Sequence, residues 1–126
     1  MQAWRGGEVI YMVDSDASVR NALCRLAISA GFEARPFDTI QHFIASAWPN
    51  DKACVILDAS QLTAGARLKE TMQRRGVDWP VIVLSATDGE LARHDARVVG
   101  ARFLLKKPVD AQALLDAIAW VTESDA

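Results

Sequence analysis

The sequence predicts an α/β fold in which five parallel strands form one sheet between two layers of helices. Short apolar runs of strand length alternate with segments of helical spacing, and this alternation repeats five times. The runs lie near residues 8–13, 33–37, 53–58, 80–85 and 101–105. Because parallel strands need long crossovers, which usually contain a helix, this (βα)5 pattern predicts a three-layer sandwich with both sheet faces covered.

Each apolar run is followed by a helical segment. The first segment ends at Gly31, the second before Pro49, and the last is anchored by Leu114 and Ile118. The third and fourth segments, roughly 64–75 and 88–99, contain fewer strong apolar anchors. We therefore expect five helices, of which the fourth packs least tightly.

Aspartate residues mark the predicted starts of three helices. An aspartate at the N-cap accepts a hydrogen bond from a backbone amide that has no partner within the helix. We predict this role for Asp38, Asp88 and Asp110, in front of the second, fourth and fifth helices.

A proline in the second strand predicts the strand order. Pro36 cannot donate to a central ladder of hydrogen bonds, so this strand should lie at an edge of the sheet. Right-handed crossovers limit the remaining arrangements. Together these observations favour the flavodoxin-like order 2-1-3-4-5, in which the second strand is outermost.

Length and charge set broad limits. The chain has 126 residues, so we expect residues 1–126 to form one domain with a core at about 8–122. A net charge of -2 argues against direct nucleic-acid binding. No apolar stretch reaches the ~20 residues of a membrane span, and residues 1–8 lack a signal-peptide core, so we expect a cytoplasmic location. Cys24 and Cys54 lie in apolar patterns and should be buried and reduced.

Reactive side chains follow four of the five predicted strands. The carboxyl ends of parallel strands meet at one edge of the sheet, where open α/β folds bind ligands. Two acids and a hydroxyl follow the first strand, one acid ends the third, a hydroxyl follows the fourth and an ammonium follows the fifth: Asp14, Ser15, Asp16, Asp58, Ser85 and Lys107. We expect them to converge at one site.

This set of side chains fits phosphoryl transfer. Asp14 and Asp58 belong to adjacent strands, and two nearby carboxylates favour a hard cation such as Mg²⁺. Lys107 adds a positive charge and Ser85 a hydroxyl donor, both suited to phosphoryl oxygens, with Asp58 as the nucleophile. The alternative is structural, because acids at strand ends, including Asp14 and Asp16, often cap the next helix.

The same residues resemble a known family. The pattern Val13-Asp14-Ser15-Asp16, Asp58, Ser85-Ala86, Gly100-Ala101 and Lys107-Pro108 is similar to that of response-regulator receiver (CheY-like) domains of two-component signalling, over about Glu8 to Val121. The segment Val13–Arg20 resembles receivers attached to helix-turn-helix transcription factors.

The resemblance implies a function and its residues. It implies phosphorylation of Asp58 by a histidine kinase or phosphotransfer protein. It further implies Mg²⁺ held by Asp14, Asp58 and the backbone carbonyl of Ser60, with Lys107 bridging to the phosphoryl group.

The resemblance also implies residues that switch. Ser85 would be the switch hydroxyl and Ala86 would stay small to leave access to the site. The Lys107-Pro108 bond would be cis, an arrangement that is essentially confined to proline.

Three departures from the family pattern make this an atypical receiver. Ser15 stands where a second acid usually binds the metal, so Mg²⁺ should bind weakly unless the loop turns Asp16 inward. The loop Ala59–Gly65 lacks the usual Met-Pro, and its glycine comes one residue early. Leu104 replaces the usual aromatic residue of the fifth strand. The alternative function is therefore a degenerate receiver that binds proteins without phosphorylation.

An output surface is predicted on the fourth helix, fifth strand and fifth helix. Its partner would be a downstream effector, a fused output domain or a second copy of the chain. Trp120 lies off the apolar stripe of the last helix, so it is either exposed for contact or folded over Ala113 and Ala117. The candidate contact residues are Arg93, Arg97, Arg102, Leu104 and Trp120.

Overall fold

The computed structural model describes residues 8–46, 48 and 52–123. Strands and helices alternate as the hydrophobic pattern predicts. In chain order they are β1 Val9–Val13, α1 Ala17–Ser29, β2 Glu33–Phe37, α2 Ile40–Ala45, β3 Ala53–Asp58, a 3-10 helix Ala59–Ala64 (the β3–α3 turn), α3 Gly65–Arg75, β4 Val81–Ser85, α4 Glu90–Val98, β5 Phe103–Lys106 and α5 Ala111–Glu123.

The sheet has the predicted parallel topology. Its order is β2-β1-β3-β4-β5, so the fold class and the strand order are both confirmed. Pro36 lies on the outermost strand β2, where a missing backbone donor is tolerated, and its partner in the ladder is Met12 of β1. The carboxyl ends of β1, β3 and β4 lie side by side in the middle of the sheet.

Alternating side chains of the central strands build two separate cores. Tyr11 of β1 faces the side covered by α2, α3 and α4, where Phe43 and Leu68 pack. Its neighbour Met12 faces the opposite side, covered by α1 and α5, where Ile118 packs. Cys24 and Cys54 are buried on that second side, as expected for small apolar residues.

The predicted helix starts are partly wrong. Asp110 does cap α5, since its Oδ2 accepts from the Ala113 amide at 2.9 Å. The α2 cap is Thr39, because the helix begins at Ile40 and Thr39 Oγ1 accepts from the His42 amide at 3.0 Å. Asp38 lies one residue too early and instead contacts His42 Nδ1. At α4 the cap position belongs to Gly89, so Asp88 is also one residue early.

The second helix ends at Ala45, and its predicted end before Pro49 lies outside the described residues. None of the described helices has the length and apolar character required to cross a bilayer.

Candidate functional site

Two aspartates occupy the carboxyl ends of adjacent central strands. Asp14 directly follows β1 and Asp58 ends β3, and the preceding residues Val13 and Leu57 are paired across the sheet. The Asp14 amide donates to the carbonyl of Phe37 at 3.0 Å, which extends the sheet to the site. Asp14 is buried, with 2% exposure, and the Asp58 side chain is 14% exposed. Both carboxylates are therefore largely removed from water.

Lys107 connects these two carboxylates. Its Nζ lies 2.8 Å from Asp14 Oδ2 and 2.6 Å from Asp58 Oδ1. Burial disfavours the charged ammonium, but hydrogen bonds to Asp14 and Asp58 outweigh this effect and raise the pKa of Lys107. Burial likewise opposes ionisation of Asp58, but hydrogen bonds from Lys107 and Ser60 prevail and lower its pKa. Both shifts favour the charged forms of Lys107 and Asp58 at neutral pH.

The second oxygen of each carboxylate contacts its own loop. Asp14 Oδ1 accepts from the amide of Asp16 at 2.9 Å, and Asp58 Oδ2 accepts from the amide of Ser60 at 3.0 Å. In both cases an aspartate oxygen accepts from the backbone amide two residues later in the chain, which is the pattern of an Asx turn. The Ser60 hydroxyl also donates to Asp58 Oδ2. All four carboxylate oxygens are therefore hydrogen-bonded by the protein.

Ser85 approaches the site through its backbone. Its side chain is buried, and Oγ accepts from the Thr87 amide at 3.1 Å. Its carbonyl accepts from the amide of Lys107 at 2.7 Å, which joins the ends of β4 and β5. Ser85 comes one residue after Leu84, the partner of Asp58 in the ladder. The structure thus places Ser85 beside the site, with its hydroxyl engaged in its own turn.

The other predicted switch residues differ in how exposed they are. Ala86 and Pro108 are exposed, and the Lys107-Pro108 bond is cis as the resemblance implies. Leu104 is half-buried and pairs with Val83 in the sheet. Trp120 is 66% exposed, yet it also lines a shallow apolar groove of about 660 Å³ together with Ala113 and Ala117. Trp120 is therefore exposed, and it shares this groove with the small residues Ala113 and Ala117.

The oxygen atoms at this site are compatible with a magnesium ion, but they carry little net negative charge. Asp14 and Asp58 offer hard carboxylate oxygens, the ligands that Mg²⁺ prefers. Ser15 is exposed and neutral, and Asp16 Oδ1 is used at the start of α1, where it accepts from Ser18 and Val19. Within residues 8–46, 48 and 52–123 no group of three or more His, Cys, Asp or Glu side chains is suited to hold a metal ion. Two carboxylates and one ammonium leave a single formal negative charge to attract a cation.

Sequence reasoning missed three contacts at this site. The side chain of Ser60 was not predicted to act, although a serine two residues after a strand-end aspartate is a recognisable Asx-turn signal. Arg20 Nη1 donates to the Asp14 carbonyl at 2.8 Å and so fixes the β1–α1 loop. Gln61 Oε1 accepts from the Ile40 amide at 3.0 Å and ties the β3–α3 turn to α2. Nothing in the local sequence indicated that last pair, which lies 21 residues apart.

Comparison with known proteins identifies the class that this fold and site define. The response regulator receiver domain family matches residues 10–119, so the chain belongs to that family. It is a receiver domain of two-component response regulators.

Individual relatives agree with this assignment. The transcriptional regulatory protein TdiR of Thauera aromatica is 34% identical over 121 residues, covering 94% of this chain and 53% of TdiR. The chain thus spans about half the length of the curated relatives it matches.

Solved structures give the same picture. A receiver protein from Burkholderia phymatum is 31% identical with a TM-score of 0.71, covering 92% of this chain and 95% of that one. A receiver protein from Pseudoalteromonas atlantica, at 23% identity and a TM-score of 0.79, covers 94% of this chain and 99% of that one and supports the fold alone.

Proposed function

We propose that this receiver domain accepts a phosphoryl group on Asp58 from a histidine kinase or a phosphotransfer protein. The observation that carries the proposal is the position of Lys107 Nζ, within 2.8 Å of Asp14 and 2.6 Å of Asp58. A fixed ammonium between two strand-end carboxylates lies where the negative charge of an incoming phosphoryl group needs balancing.

The chemistry would be a displacement at phosphorus. An oxygen of Asp58 attacks, a bond from this oxygen to phosphorus forms, and the bond from phosphorus to the donor breaks with its electron pair leaving on the donor. Lys107 balances charge on the phosphoryl oxygens, and burial of the site strengthens that attraction. Asp58 needs no general base, because it is already ionised.

A magnesium ion is part of this proposal. Asp14, Asp58 and the backbone carbonyl of Ser60 are the ligands that the family resemblance implies, with Asp16 as a further candidate if it leaves the α1 cap. A bound Mg²⁺ would supply additional positive charge for the phosphoryl oxygens. Because Ser15 contributes no charge, we expect its affinity to be low.

The output surface is proposed at α4, β5 and α5. Leu91 on α4 and Trp120 on α5 are 74% and 66% exposed, so an apolar residue stands on each of these two helices. The bond between the Ser85 carbonyl and the Lys107 amide gives the site a direct connection to the end of β5. An effector protein, a fused output domain or a second copy could dock on this surface. The predicted cytoplasmic location and lack of nucleic-acid binding stay predictions.

Intact-mass measurement tests phosphorylation directly. We expect incubation with Mg²⁺ and a small acyl phosphate to add one phosphoryl mass to the wild type. Asp58→Ala should show no adduct. Asp78→Ala changes an exposed aspartate before the amino end of β4, far from the site, and should still be labelled. A wild type that stays unlabelled under conditions that label an ordinary receiver would contradict the proposal.

A second candidate function follows from the same pocket. Ser15 is neutral where the family usually has an acid. Every carboxylate oxygen of Asp14 and Asp58 already accepts from a donor of the protein. These features favour a receiver that binds a partner without phosphorylation. In that case partner binding would be the same for the wild type and Asp58→Ala, with or without the acyl phosphate.

A further inference from the structure

The Ser60 side chain makes a contact that the receiver function does not explain. Ser60 lies in the β3–α3 turn, two residues after Asp58, and is itself exposed. Its hydroxyl donates to Asp58 Oδ2, the same oxygen that accepts from the Ser60 amide. Because the hydroxyl is at the surface, water can replace Asp58 as its partner when the side chain rotates.

This contact affects the reacting atom. Lys107 is ion-paired with Asp58 Oδ1. Its positive charge has to stay in the pocket to balance the phosphoryl oxygens when the phosphoryl group arrives. Asp58 Oδ2 therefore has to free a lone pair before the carboxylate can bond to phosphorus as well as hold the Mg²⁺ proposed above. Two donors from Ser60 already use the lone pairs of Oδ2, and hydrogen bonds to a charged acceptor are among the stronger ones in proteins.

Resting on the proposed function, we infer that the Ser60 hydroxyl is a positioning residue that restrains Asp58 and slows its attack on a phosphodonor. The hydroxyl must leave Oδ2 before the new oxygen–phosphorus bond forms. With a carboxylic–phosphoric anhydride as donor, the bond from phosphorus to the donor carboxylate breaks and the carboxylate departs with the electron pair. No proton or redox partner is required.

Phosphorylation rates of four proteins test the inference. Acetyl phosphate is added with Mg²⁺, and the adduct is followed by intact mass over time. Ser60→Ala removes the hydroxyl and should be labelled on the order of tenfold faster than the wild type. Ser60→Thr keeps a hydroxyl and should retain the slow rate. Thr63→Ala is the matched control, because Thr63 is an exposed hydroxyl residue of the same turn.

A spectroscopic measurement separates positioning from a general structural effect. The side-chain carbonyl ¹³C resonance of Asp58 is recorded without metal at a fixed neutral pH. It should move in Ser60→Ala, which loses one donor to Oδ2, and stay near the wild-type position in Ser60→Thr and Thr63→Ala.

The outcomes distinguish this inference from the proposed function. A labelled wild type with an equally fast Ser60→Ala, or an unmoved Asp58 resonance, overturns the inference alone. Labelling of Ser60→Ala but not of the wild type supports the restraint and overturns the wild type as a phosphoacceptor. No labelling of either protein overturns both.

Discussion

Lys107 is the residue on which the geometry of the pocket depends. Its ammonium forms an ion pair with one oxygen of Asp14 and one oxygen of Asp58. One side chain thus joins the carboxyl ends of the three strands β1, β3 and β5. Largely buried carboxylates need such a partner, because an unpaired charge away from water is costly. The same bridge leaves only one negative charge in the pocket for a metal ion. If the pocket holds Mg²⁺ as proposed, we therefore expect the charge at residue 15 to set how strongly the ion is attracted.

Replacing Ser15 tests this electrostatic account. Ser15→Asp adds a charge beside Asp14 and should tighten Mg²⁺ binding about tenfold or more, since carboxylates are the preferred ligands. Ser15→Asn introduces a side chain of the same size as aspartate but without its charge. The Mg²⁺ affinity of this variant should therefore stay near the wild-type value. Mg²⁺ titration by calorimetry measures both. Equal affinity of Ser15→Asp and the wild type would show that another group already compensates.

At the scale of single elements, α2 illustrates how a short helix is held by its surroundings. Six residues are too few for a stable isolated helix. Thr39 and Gln61 accept amides at its start, and Arg75 Nη2 donates to the Ile44 carbonyl at 2.8 Å near its end. The Arg75 guanidinium also lies 4.0 Å from the ring centre of Trp48, whose indole donates to the Phe43 carbonyl. The amides of Ile40 and His42 and the carbonyls of Phe43 and Ile44 thus find partners outside the helix.

A pair of substitutions distinguishes the true cap of α2 from the predicted one. Thr39→Ala removes the acceptor of the His42 amide and should lower the free energy of unfolding by about 1 kcal/mol. Asp38→Ala removes only an exposed contact to His42, so the change should be much smaller. Urea unfolding at neutral pH measures both. A larger loss for Asp38→Ala than for Thr39→Ala would reverse the assignment.

At the scale of the whole molecule, the sequence was sufficient for the topology and for part of the site. Alternation of apolar runs and the proline in β2 determine the sheet order, and this order alone brings Asp14, Asp58 and Lys107 together. The contact of Gln61 with α2 could not be predicted, because it depends on the β3–α3 turn folding as a 3-10 helix. The contact of Ser60 with Asp58 was missed although its spacing is that of an Asx turn. Helix starts were wrong by one residue at α2 and α4, since several adjacent polar residues could act as the cap.

The close approach of α3 to α4 gives a final prediction about the fold as a unit. Gly65 begins α3 directly after the β3–α3 turn and is buried, and a Cβ added there would overlap Val99 Cγ1 beside α4. Gly65→Ala should therefore lower the free energy of unfolding by about 1–3 kcal/mol through overpacking. Gly89 is the matched control, because a Cβ there meets no atom within 4 Å and its backbone suits alanine. Gly89→Ala should lower the free energy of unfolding by less than about 1 kcal/mol, because it only replaces glycine by the poorer N-cap residue alanine.

Denaturant unfolding of both variants, and of Gly65→Ala combined with Val99→Ala, measures the effect. In the double variant the overlap is gone, so the Gly65→Ala substitution should cost much less in a Val99→Ala background than in the wild type. The difference arises because the missing Val99 methyl groups make room for the new Cβ. An equal cost in the two backgrounds would mean that α3 reaches α4 less closely than the structure has it. The β3–α3 turn would then be free to move without displacing α4.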